Sequence, residues 1–137
     1  MDRLTFDAQW VPRMLSIMRI VVGFLFMEHG GAKLFNIPPV PQPPPHLPPL
    51  MVVAGILECF GGFLVLIGAF TRPVSFILAG EMAVAYFLAH APHGFWPMLN
   101  KGELAVLYCF VFLYLAAAGS GAWSVERMWH STAGSAF

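Results

Sequence analysis

Charge is what this chain has least of: Asp, Glu, Lys and Arg make up 10% of its 137 residues, seven acidic against seven basic. Soluble domains carry about 25%, so a water-facing surface is hard to build from this sequence. Without a basic excess, nothing points to nucleic acid as a partner. Cysteine is nearly absent. Cys59 and Cys109 lie in apolar runs with no CxxC or Cys/His spacing. They read as small buried side chains, with a redox pair across two helices as the weaker alternative. No dinucleotide fingerprint, haem-attachment motif or iron–sulfur cysteine set occurs, so the chain is not expected to catalyse redox chemistry alone. A signal-peptide cleavage box is lacking too: the first apolar run starts near Met14, is about as long as a spanning helix, and is expected to stay in the mature protein.

What is present is apolar. Hydrophobic residues reach 58%, against roughly 45–50% in globular domains, and lipid is the expected solvent. The pattern predicts an all-α membrane protein, a single domain over residues 1–137, built as a bundle of four transmembrane helices over about 13–35, 50–70, 74–91 and 103–119. Residues 1–12 read as an interfacial lead-in. Between the first two helices lies a proline-rich loop, 36–49; eight of the twelve residues from Pro38 to Pro49 are proline, which suits an extended polyproline II connector. Gly55, Gly61, Gly62 and Gly68 in the second run permit close helix contact. Arg72, beside Pro73, suits the cytoplasmic interface. Arg3, Arg13, Arg72 and Arg127 flank one side and Lys33 and Lys101 the other, which favours both termini in the cytoplasm.

The exceptional stretch runs from Arg19 to Phe35, where Arg19, Glu28, His29 and Lys33 interrupt a spanning sequence. Ionisable groups at membrane depth are costly and turn towards partners or a polar cavity. Counting along the helices puts Arg19 and Glu81 both about 10 Å inside the cytoplasmic edge, a candidate structural ion pair. In the outer half, His29, Lys33, Glu58, His90 and Glu103 approach one another as a candidate polar chamber, while helical phase turns Glu28 roughly opposite. Two readings of the chamber compete. Its protonatable groups could serve a quinone-like head, or they could be buried pairs that hold the helices in register. A carboxylate-bridged metal is a weaker third reading, because no Glu-x-x-His motif occurs, and no metal site is assigned. Haem is weaker still.

Arg19-x-x-x-Gly23-x-x-Phe26-x-x-His29-Gly30-x-x-Lys33-Leu34-Phe35, Glu58-x-x-Gly61-Gly62, Gly68-x-x-Thr71-Arg72, Met82-x-x-Ala85-Tyr86-Phe87-x-x-His90 and Gly94-Phe95-Trp96-Pro97-x-x-Asn100-x-Gly102-Glu103, followed by Leu107-Tyr108, occur in this order. In this combination the chain resembles the DoxX family of small four-helix membrane proteins. The resemblance implies a multi-pass protein of the bacterial inner membrane linked to sulfur, thiol or quinone redox systems. At most it implies an oxidoreductase subunit dependent on membrane or soluble redox partners. Carried over by position, it adds Arg19, Arg72 and Asn100 to the polar residues of interest. The candidate ligand-binding set is then Arg19, His29, Lys33, Glu58, His90, Asn100 and Glu103, with a quinone as the one cofactor left open. The proline-packed loop, Glu28 and Glu81 depart from the family pattern. The alternative from another class is a non-catalytic accessory or assembly subunit of a larger membrane complex.

Overall fold

A computed structural model describes residues 3–134. Every regular element among them is helical. Helix α1 spans Arg3–Phe35, α2 Pro49–Ile67 and α3 Thr71–His93, α4 Glu103–Ala118 and α5 Val125–Gly134. The first three are long and apolar enough to cross a membrane, whereas α4 is equally apolar but shorter, at 16 residues. The expected lead-in is not separate: residues 3–12 continue α1 through Pro12. Asp2, at its start, lies outside the described residues.

Helix boundaries follow local chemistry. Pro49 opens α2, where a missing N–H is harmless, and Gly68 closes it at φ 73°, a left-handed cap that glycine adopts without strain. The second helix therefore stops short of residue 70. The third begins at Thr71, earlier than expected, because Pro73 is tolerated in a first turn. The Thr71 N–H is received by the Glu126 carboxylate at 2.7 Å from α5.

Helices α1 and α2 meet on glycines. A Cβ on Gly23 would stand 2.7 Å from the Leu66 nitrogen and 2.8 Å from the Gly62 oxygen, and one on Gly30 would collide with the backbone of Cys59 and Gly55. The seven-residue spacing of Gly23 and Gly30 thus runs against that of Gly55 and Gly62, so the two backbones lie in direct contact. Helix α4 packs against α3, and Phe26, Val65, Leu78, Met82, Tyr108, Phe112 and Leu115 form the core between the pairs. Phe26 stands edge-on to both Phe112 (4.8 Å between centroids) and Tyr108 (5.2 Å).

Two spans are not plain α-helix. Leu57–Gly61 in α2 and Tyr86–His90 in α3 are π-helical turns. Such wide turns are rare and recur at functional sites.

Candidate functional site: a polar chamber above the core

The two π turns carry Glu58 and His90 into the same region. There His29, Lys33, Glu58, His90, Lys101 and Tyr108, over a floor of Phe26, Met82 and Ala105, line a cavity of about 340 Å³. Lys33 Nζ lies 2.5 Å from Glu58 Oε1. The carboxylate is 3% exposed, so the pair is sunk into the bundle, with the lysine stem reaching in from a partly open position. The His29 ring stands nearly perpendicular to Tyr108 at 6.0 Å. His90 Nδ1 is 3.1 Å from the Asn100 carbonyl oxygen. Since a carbonyl only accepts, that nitrogen carries the hydrogen, and Nε2 is left as an acceptor in the neutral ring. Lys101 enters from the loop before α4 with φ 62°, a conformation uncommon for a side-chain-bearing residue.

A second cavity of about 310 Å³ adjoins the first and shares Lys33, Met51, Glu58, Ala85 and Ala89 with it. Its wall is otherwise largely aliphatic, from α2 and α3, and includes Glu81. Leu50, Val53, Ile77, Val84 and Leu88 of this wall are all more than half exposed on the outer face of the helices, the face that meets acyl chains. The Lys33–Glu58 pair stands where a polar chamber meets a lipid-side cleft. Above both, Asn36, Val40, Pro43 and Leu47 of the proline-rich loop enclose a further space with His29, Lys33 and Met51.

The expected ion pair between Arg19 and Glu81 does not form. Arg19, 1% exposed, donates to the carbonyls of Ser120 (2.8 Å), Val65 (2.6 Å), Leu66 and Trp123. These close the C-terminal end of α2 and the loop after α4, where unpaired carbonyls attract a cation. The depth count failed at both helices. Because α1 continues outward to Arg3, Arg19 sits at the end of the bundle, whereas Glu81, ten residues into α3, stands about 15 Å from that helix's start. Arg72 holds the same end, donating to the carbonyls of Ala116 and Ala117.

Two further candidates are placed outside the chamber. Asn100 is buried, but its amide donates to Tyr86 (3.2 Å) and to the Gly94 carbonyl (2.9 Å) and accepts from Gly102 N–H (2.8 Å). It staples the loop that holds His90 instead of facing a ligand. Glu103 is exposed and lines a separate groove with Trp96, Pro97 and Leu99. Glu28 is half-buried and borders neither cavity. Residue counting brought His29, Lys33, Glu58 and His90 together, as the structure does. It missed Tyr108 and Lys101, although Tyr108 stands in the motif Leu107-Tyr108 and Lys101 is a rare charge between two apolar runs.

The sequence profile of the DoxX family matches residues 14–91. A protein of Haemophilus influenzae described as uncharacterized is 42% identical, the match covering 85% of this chain and 90% of the relative. No solved structure matches.

Proposed function

Since the chain belongs to the DoxX family of membrane proteins, we propose that it binds a lipid-soluble, quinone-like molecule, its head in the polar chamber and its tail in the aliphatic cleft beside it. In this reading α4 completes a four-span bundle in a bacterial inner membrane with both termini cytoplasmic, and partner proteins supply and remove electrons. The observation that carries the proposal is the convergence of His29, Lys33, Glu58, His90, Lys101 and Tyr108 on one cavity that adjoins an aliphatic one. Ligand pockets combine a mostly apolar lining with a few placed polar groups, in volumes of about 300–1,000 Å³.

The chemistry offered is hydrogen bonding to two carbonyl oxygens. The Tyr108 hydroxyl and the Lys101 ammonium are donors lining the chamber, and His90, whose Nδ1 is held by the Asn100 carbonyl, presents Nε2 as an acceptor for a hydroxyl of the reduced head. None of these groups moves electrons between two substrates, which fits a subunit that holds its ligand for a redox partner.

The test is titration of the purified chain in mild detergent with a short-chain ubiquinone analogue, followed by calorimetry. Saturable binding is expected, weakened about tenfold in Tyr108→Phe by loss of one hydrogen bond worth about 1.4 kcal/mol. Absence of saturable binding to the wild-type chain defeats the proposal. The accessory-subunit reading would then stand, identified by companion chains that co-purify in fixed proportion.

A further inference from the structure

The aliphatic cleft holds more acid than base. Glu58 Oε1 meets Lys33 Nζ at 2.5 Å, but Glu58 Oε2 is buried without a hydrogen-bond partner. Glu81 lines the same cavity, and both its carboxyl oxygens are buried and unpartnered. The charged side chains that face the cleft are Lys33 from α1, Glu58 from α2 and Glu81 from α3. Tyr108 of α4 and Lys101, His29 and His90 face the neighbouring chamber. One ammonium therefore stands against two carboxyl groups, in a wall that offers no further donor. A carboxylate stripped of water and hydrogen bonds in apolar surroundings is neutralised sooner than it stays charged.

We infer that Glu58, Glu81 and Lys33 form an intramembrane proton-binding site, in which Glu81 carries one exchangeable proton opposite the Lys33–Glu58 pair. The proton brings the cluster to neutrality and turns one orphaned oxygen into an O–H donor. Because Lys33 and Glu58 also line the chamber, the site adjoins the ligand head of the preceding proposal. Its existence does not depend on that ligand.

Infrared spectroscopy on the whole chain in detergent, without quinone and with glutamate carboxyl carbons isotopically labelled, tests this. At neutral pH the wild type is expected to show the C=O stretch of a protonated carboxyl group, shifted by the label and by deuterium exchange. The band should vanish in Glu81→Gln and persist in Glu103→Gln, which changes an exposed glutamate. It should also vanish in Glu58→Gln, where Glu81 is left as the sole acid beside Lys33 and pairs with it as a carboxylate. A wild-type spectrum without the band, or a band that survives Glu81→Gln or Glu58→Gln, overturns the inference, and the wild-type result needs no variant to fold. Failure of quinone binding with the band intact would remove the ligand proposal and leave this one standing.

Discussion

Lys33 and Glu58 show how unequal the two halves of a sunken ion pair are. The carboxyl group is almost wholly buried while the lysine is a quarter exposed, so removing the lysine strands a buried acid without its partner. Lys33→Met is expected to destabilise the fold by about 3 kcal/mol, the lower end for breaking a buried pair. Lys33→Met with Glu58→Met should recover most of that loss, because an apolar pair of similar volume avoids the desolvation cost. Thermal denaturation in detergent, read by circular dichroism, measures both; a double variant no better than the single would show that the pair does more than balance charge. At Arg19 the partners are carbonyls, and geometry matters more than charge. Arg19→Lys keeps the charge but gives up the guanidinium fork that reaches four acceptors, and is expected to cost about 2–3 kcal/mol in the same assay, since a stranded buried acceptor costs about 1–3 kcal/mol.

At the scale of helices, the contact between α1 and α2 is made by what is missing from their surfaces. Gly30 faces the Cys59 and Gly55 backbones with no room for a methyl group, whereas nothing lies within 4 Å of a Cβ built on Gly80. Gly30→Ala is therefore expected to lower stability by about 1–3 kcal/mol, the range for overpacking against groups that cannot yield. Gly80→Ala in α3 should be neutral or stabilising by up to about 1 kcal/mol, since alanine is the better helix former. Melting temperatures of the two variants side by side check the contrast. The two π turns belong to this scale as well. Each lets a polar side chain of a spanning helix, Glu58 or His90, face inward, and the extra residue rotates the following stretch by about 100° relative to a plain helix.

For the molecule as a whole, Arg19 and Arg72 lie at one end and the chamber towards the other. Arg19 and Arg72 tie the ends of α2 and α4, while the proline-rich loop roofs the cavity beside His29 and Lys33. With Cys59 and Cys109 replaced by alanine, a cysteine at His130 should react with impermeant maleimide only from the cytoplasmic side of sealed vesicles. A cysteine at Gln42 should react only from the opposite side. Labelling of both from one side would mean that the chain crosses the membrane an even number of times between them, instead of the three crossings by α2, α3 and α4.

The all-helical, lipid-soluble character of the chain was decided by composition and by apolar runs long enough to span a bilayer, because those quantities depend on residue type and length alone. The grouping of His29, Lys33, Glu58 and His90 was also legible, since each lies a countable distance from a helix end on a regular spiral. Arg19 and Glu81 escaped that count because helix ends are set by what caps them. The reach of α1 back to Arg3, and the start of α3 at Thr71 under the Glu126 carboxylate, separate two residues that equal counting had placed level. Nor could local sequence announce the π turns, the tying of Asn100 into its loop or the outward turn of Glu103. These follow from which donor finds which acceptor once α1 lies on α2 and α3 on α4, and such partners are residues apart in sequence and neighbours only in space.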